Sequence, residues 1–445
     1  MGHVLGFRFI SVRAGNCCIY LGSPPRHSTH FTGNRKAEML RTKPVLRKPP
    51  PPLVRRCCTD GSVSDPHSDI LSRQSERPTN IESLPTDLLF EILLLLPADH
   101  LYMRARLVCR RWCHIIRSHA FINAHMHSAT YGLLLWPLTD NTLPLYVTAD
   151  ADGGIHTSEL NHISELGVLF NCDGFALEMA LGDYYRLQLA NPATKQLFRQ
   201  PRPREGLRYI MALCGLAYSA ASLAHKVIVP YTVRHSPPRL QTDYGLDVFT
   251  VGVDESWRHV EIHHLPDHVR RCLLRKAPLT SEGFLHWGWG KYCATLDAET
   301  EIISVSEAPY EYHECNYKYL SAGRCLSLLV ACGDLSWEDL SWEVWVMKAE
   351  TGEWRKALPN VDLRAQKCRI QQFAPEDGRV LMPLGWVKYP HVLAFRFSAH
   401  FFGEEWRHCI LYNLDTHQLH SIELPQNYTK PYVAFPHKYN LMWLS

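Results

Sequence analysis

His313-Glu314 begins like the HExxH helix of a zinc protease, in which two imidazoles one turn apart hold the metal and the glutamate activates water. The second histidine's position is Tyr317, so only one imidazole would reach an ion. Gly290-Lys291 lacks the earlier glycine and the following Ser or Thr of a phosphate-cradling loop. No GxSxG nucleophile elbow occurs. The 15 cysteines fall as doublets (Cys17-Cys18, Cys57-Cys58) or as scattered singles with no CxxC pair, so neither a zinc site nor a redox site is nucleated. Cys109 and Cys113 share one face of an expected helix, yet both lie beside an apolar stripe, where thiols act as small hydrophobes. No cofactor and no metal are expected.

Aromatic clusters are the better candidates for recognition. "HWGWGKYC", "YEYHECNYKY" and "DLSWEDLSWEVW" combine Trp or Tyr with charge, as binding hot spots do, which singles out Trp287, Trp289, Tyr310, Tyr312 and Trp337 as candidate contacts to a partner. Core packing is the competing reading, since aromatics bury the most area. The basic stretches, the N-terminal segment and "RHSPPR" at Arg234 to Arg239, do not interleave aromatics with charge, and the net charge is only +3; nucleic acid is not an expected partner. The longest apolar patch, "LLFEILLLLP", is interrupted by Glu91 and stopped by Pro97, so no membrane span is expected.

The elements that must carry these residues fall into three parts. Residues 1–80 are rich in Arg, Lys, Pro and Ser, show no sustained periodicity and are expected to be a disordered leader. Their Arg-rich, acid-poor first half also permits a transit-peptide reading, which the proline run weakens. From Ile81 to His125 the pattern becomes helical: Leu84, Leu88, Ile92 and Leu95 or Leu96 recur at helical spacing, and Pro97 ends that helix. A second helix is expected with Asp99 as N-cap and Leu101, Ala105, Val108, Trp112 and Ile115 as its stripe. Two short helices cannot bury both stripes by themselves, so the remaining apolar surface needs a cover.

From Tyr131 to the C-terminus short alternating strands take over, and a weak repeat shows through. "YYRLQLANPATKQLFRQP", "DVFTVGVDESWRHVEI", "CATLDAETEIISV", "VWVMKAETGEWRKALP" and "CILYNLDTHQLHSIELP" each read as strand, polar turn, strand. Their separation of roughly 40 to 65 residues is close to a propeller blade, which predicts about six or seven blades. Strands led by Gly132, Gly215 and Gly283 are expected beside the crowded axis. Trp257 and Trp354 follow equivalent turns and are expected to be equivalent packing residues.

"LPTDLLFEILLLLPADHLYMRARLVCRRWCHII" resembles an F-box over nearly its whole length. The resemblance rests on Leu84, Pro85, Leu88, Ile92, Leu93, Leu96, Pro97, Leu101, Arg104, Val108, Cys109, Trp112 and Ile116, with Phe121 closing the segment. Downstream, "NCDGFALEM", "ANPATKQLFRQP", "GLAYSAASLAHKVIV" and "SWRHVEI" resemble the kelch-related F-box-associated domain of a large plant family, without the double glycines of a regular kelch repeat. The resemblance implies an α+β multidomain chain: a small helical F-box (81–125) followed by an all-β propeller-like domain (131–445). It also implies a non-catalytic receptor subunit of a ubiquitin ligase. That subunit docks on a Skp-type adaptor through Leu84, Pro85, Leu88, Ile92, Leu96, Pro97, Leu101, Val108, Cys109 and Trp112, reaches cullin and RING subunits through that adaptor, and holds a protein substrate on the β domain. The alternative is a propeller-type hydrolase, or a ligand-binding protein with no link to ubiquitin. Unpatterned free thiols place the chain in a reducing compartment, cytoplasm or nucleus.

Overall fold

The computed structural model describes residues 84–441 apart from 130, 138–142, 151, 161–166, 181–185, 202, 203, 205, 220, 223, 235–241, 310–316, 334–339, 374–379, 399–407 and 425–431. The expected leader (1–80) lies outside them, as do Tyr310, Tyr312 and Trp337. No described helix is long and apolar enough to cross a membrane.

The helical part is built of α1 (Thr86–Leu94), α2 (Ala98–Met103), a 3-10 turn (Ala105–Leu107), α3 (Arg110–Arg117) and α4 (His119–Ser128). Its first helix stops at Leu94, and Pro97 takes the N-cap position of α2, with Asp99 inside the first turn. The single second helix expected from the apolar stripe is broken twice, at Arg104 (φ −128°, ψ −61°) and at Cys109 (φ −156°, ψ 170°). These breaks let Leu101, Ala105, Ile115 and Ile116 converge on one small core, which a straight helix with its residues in line could not enclose. Ser118, between α3 and α4, caps the latter by accepting a hydrogen bond from the Phe121 amide at 3.2 Å.

Strands and turns dominate the rest. β1 (Tyr131–Pro137), β2 (Leu145–Ala149) and β3 (Ile155–Glu159) belong to blade 1. Blade 2 holds β4 (Gly167–Cys172), β5 (Phe175–Ala180), β6 (Arg186–Asn191) and β7 (Gln196–Arg199). Blade 3 holds β8 (Arg208–Tyr209), β9 (Gly215–Ser219), β10 (Ala224–Arg234), β11 (Thr242–Thr250) and β12 (Arg258–Val260). After α5 (Asp267–Leu273), blade 4 holds β13 (Leu279–Ser281), β14 (Phe284–Trp289), β15 (Tyr292–Asp297) and β16 (Ile303–Glu307). Blade 5 holds β17 (Tyr317–Ser321), β18 (Leu326–Ala331), β19 (Ser341–Lys348) and β20 (Glu353–Asp362). After α6 (Lys367–Gln371), blade 6 holds β21 (Val380–Lys388), β22 (Val392–Ser398), β23 (His408–Asn413) and β24 (Leu419–Glu423).

The chain then returns to its first blade. β25 (Tyr432–Lys438) pairs antiparallel with β1, from Tyr131 opposite Lys438 to Pro137 opposite Tyr432. The innermost strands β25, β4, β9, β13, β17 and β21 neighbour one another in that order and close a ring, a six-bladed propeller-like arrangement.

The repeat visible in the sequence is the outer hairpin of blades 2 to 6. Each of its turns needs one residue with a left-handed backbone: Lys195 (φ 57°), Gly252 (77°), Glu301 (59°), Gly352 (71°) and His417 (55°). In blades 2, 4 and 6 the turn opens with an Asn or Asp side chain that accepts hydrogen bonds from amides two or three residues on, as at Asn191, Asp297 and Asn413. This local bonding stabilises the tight return and leaves "NPATK", "DAETE" and "NLDTH" as its signature. Blade 1 returns through a different turn, with Gly153 at φ 84° and Asp150 accepting from the Gly154 amide, four residues on, at 2.6 Å. The glycine-led strands are not uniformly axial. Gly215 heads an innermost strand, where a Cβ would meet Pro278 and Leu285 at 2.7 and 2.8 Å, but Gly132 opens the second strand of its blade and Gly283 (φ 86°) makes the β13–β14 turn.

Apolar side chains between blades make up the core, and some of the polar groups inside it are paired across strands. His286 is fully buried on β14, its Nε2 2.6 Å from Ser281 Oγ and its Nδ1 2.9 Å from Thr295 Oγ1. Between blades 3 and 4, Glu301 accepts from Lys226 Nζ and from both terminal nitrogens of Arg258, each at 2.8 Å. The Arg258 guanidinium holds the Glu301 carboxyl below its usual range.

Trp257 is buried, and its indole donates to the Pro201 carbonyl at 3.1 Å. Trp354 is only half-buried, so the two tryptophans are not equivalent. Thermal unfolding is expected to show Trp257→Ala costing about 3–5 kcal/mol, Trp354→Ala clearly less, and Glu255→Gln in the exposed turn within about 0.5 kcal/mol of wild type.

Burial pushes His225 down to about 4, and His286 and His437 down to about 3. An unfolded histidine titrates near 6.5, so below that pH the unfolded chain gains protons that the folded blades refuse. Stability conferred by the neutral folded state is therefore complete above about pH 7.5 and is lost as pH falls toward the folded values, by up to about 1.4 kcal/mol per pH unit per histidine. The unfolding midpoint should drop between pH 7.5 and pH 5, and His286→Gln, though less stable at neutral pH, should show a shallower drop.

Candidate functional site

The helical part sorts its apolar residues into two sets. Leu89, Leu93, Ala98, Leu101, Ala105, Ile115, Ile116 and Phe121 are buried together, with Phe90 meeting Phe121 edge-on at 5.0 Å between ring centres. The same core takes in Ala193, from the β6–β7 turn, and Leu441, just beyond β25. His125 on α4 is buried and lies 3.2 Å through Nε2 from the Leu96 carbonyl, tying the last helix to the end of the first; burial lowers its pKa. Arg111 donates to Thr86 Oγ1 at 3.0 Å across the same module.

The other set faces solvent. Leu88, Ile92, Leu95, Met103, Leu107 and Val108 are exposed, and they are six of the ten large apolar residues exposed among the described residues. Leu88 and Ile92 lie one turn apart on α1, on a side distinct from that of buried Leu89 and Leu93, and Leu95 follows just past the helix end. An apolar surface so concentrated on one small module marks an interaction site. Of the residues carrying the sequence resemblance, Pro85, Leu88, Ile92, Pro97 and Val108 are exposed, Leu84, Leu96, Cys109 and Trp112 half-buried, and Leu101 fully buried. Leu101 therefore shapes the module from within. Met103 and Leu107 carry no sequence signal beyond being apolar, whereas "LLFEILLLL" is apolar on both helix faces, the sign of a helix covered from both sides.

On the propeller, the turns that follow each innermost strand and those that join each outer pair lie at one face, because successive strands are antiparallel. Tyr131 fills the axis there, donating to Asp173 Oδ1 at 2.7 Å, with Lys438 Nζ 5.0 Å from its ring centre. An open groove of about 830 Å³ crosses this face from blade 4 to blade 6, lined among others by Phe284, Cys325, Trp354, Arg355 and Tyr389. Trp287 is buried in the core and Trp289 half-buried against it; neither lines the groove. Ser281 beside His286 has the atoms of a nucleophile and base, but both are fully buried and no substrate can reach them.

Comparisons with known proteins agree with this division. Residues 81–123 match the F-box domain family. A relative in Arabidopsis thaliana, "Putative F-box protein At5g52610", is 27% identical over 198 residues, which cover 40% of this chain and 50% of that protein. The chain thus spans about half the length of the curated relative it matches. Solved structures that match include the N-terminal domain of Nup159 (11% identity, 67% of this chain and 68% of that one, TM-score 0.31). Another is a Mycobacterium tuberculosis puromycin-hydrolyzing peptidase (12% identity, 74% and 49%, TM-score 0.28). At such scores neither bears on function.

Fold and surface define a two-module protein, a small helical module joined to a six-bladed propeller-like domain. The helical module carries an F-box domain, and a plant protein named as a putative F-box protein is similar to part of the chain.

The two apolar sets should separate in stability measurements. Leu101→Ala is expected to destabilise the F-box by about 2–5 kcal/mol, whereas Leu88→Ala should leave thermal unfolding within about 0.5 kcal/mol of wild type.

Proposed function

We propose that this chain is the substrate-recognition adaptor of a Skp-cullin-F-box ubiquitin-protein ligase, binding a Skp-type adaptor through its F-box and a protein target through its propeller. The observation that carries this reading is the exposed apolar surface of Leu88, Ile92, Leu95, Met103, Leu107 and Val108 on the F-box. Leu84, Pro85, Leu96, Pro97, Cys109 and Trp112 would border it, and Leu101 would support it from beneath. Cullin and RING subunits join through the adaptor. The propeller is read as a kelch-related F-box-associated domain, and the compartment as cytoplasm or nucleus.

No residue of this chain takes part in bond making. Its contribution is proximity: a target held beside a ubiquitin-charged conjugating enzyme presents its lysines at a high effective concentration.

Each large apolar side chain buried at the adaptor contact contributes about 1.5–3 kcal/mol, and about 1.4 kcal/mol is tenfold in affinity. Leu88→Ala with Ile92→Ala should therefore weaken adaptor binding at least tenfold in titration calorimetry while the propeller unfolds as in wild type. Unchanged affinity would rule the assignment out. Reconstituted ubiquitination should require adaptor, cullin and RING subunits, and hydrolase turnover by the chain alone would support the enzymatic alternative instead.

A further inference from the structure

The groove across blades 4 to 6 has chemistry that differs from end to end. Toward blade 4 its wall is aromatic: Phe284, at the start of β14, and Trp354, whose ring meets Tyr319 edge-on at 6.1 Å between centres. The Trp354 Nε1 is buried with no hydrogen-bond acceptor. Toward blade 6 the wall is Cys325, Tyr389 and Arg355. The Arg355 charge acts on both the Cys325 thiol and the Tyr389 phenol, which places the guanidinium at that end.

Arg355 has no carboxylate within ion-pair distance among the described residues. Of the other cations that line the groove, Arg324 pairs with Glu282 at 3.2 Å, while Lys348, at the end of β19, has no ion pair among the described residues. Glu353, two residues away on the same side of β20, does not close a bridge to it. The groove thus offers an aromatic surface at one blade junction and, at the next, a solvent-exposed guanidinium with no carboxylate partner among the described residues. Glu282, Glu350 and Glu353 on its rim oppose a polyanion, so a nucleic-acid backbone fits poorly while a single carboxylate fits well. Its volume lies in the range of sites for small ligands and short segments, and its open course over three blades suits an extended chain.

We propose that this groove binds an extended peptide segment of a protein partner, seating an apolar side chain against Trp354 and Phe284 and a carboxylate on Arg355. The assignment rests on the propeller being the target-binding module and adds the class of segment it takes.

Short synthetic peptides that pair a Trp or Leu with a Glu at varied spacing, and matched peptides with Lys in place of Glu, provide the test against the full-length chain in fluorescence anisotropy. The Glu series should bind and the Lys series should not. Arg355→Glu should lower affinity for the Glu series at least tenfold and raise it for the Lys series, and Trp354→Ala should weaken binding of the Glu series. Arg355 is exposed, so its variant keeps the fold even where Trp354→Ala does not. Equal binding of the two series, binding of neither, or Glu binding unaffected by Arg355→Glu would overturn the proposal. Adaptor affinity, measured on the same samples, should be unchanged by Arg355→Glu. Its absence in wild type would count against the ligase reading alone.

Discussion

The pairing of β25 with β1 is the constraint on which the structure depends. Until the last strand returns, six sheets form an open row, and β1, with Leu133, Leu134 and Leu135 in sequence, is a bare apolar edge. Closure brings β25 beside both β4 and β21, so that every innermost strand has two neighbours. The ring also fixes the axis, since Tyr131 lies opposite Lys438 in the register and reaches Asp173 in blade 2. Apolar burial supplies most of the stabilisation, but it has no direction. Direction comes from backbone register and from ion pairs such as Glu301 with Arg258 and Lys226, which hold blades 3 and 4 in one relative position.

The outer hairpins were legible because their turns need particular residues. A left-handed backbone position and an Asn or Asp that bonds the following amides leave a chemical mark at Asn191, Asp297 and Asn413 whatever the strands contain. Blade 1 was harder to read, since its innermost strand comes from the far end of the chain and no local pattern announces a partner some three hundred residues away.

In the F-box, periodicity located the helices but not their ends. The breaks at Arg104 and Cys109 answer to the demand of a shared core rather than to local propensity. The same limit explains the tryptophans. Trp257 and Trp354 follow similar turns, yet one faces a junction filled by neighbouring apolar groups and the other borders a groove. The groove itself had no linear signature, because Phe284, Trp354 and Tyr389 meet only through the ring.

The F-box core has a feature with a bearing on how the protein is made. Ala193 and Leu441 complete that core, although one comes from blade 2 and the other follows the final strand. A ribosome delivers the four helices long before Leu441 emerges. A nascent or prematurely terminated chain therefore presents four helices with part of their shared interior unfilled, and a Leu-sized gap of that kind weakens a small core by several kcal/mol.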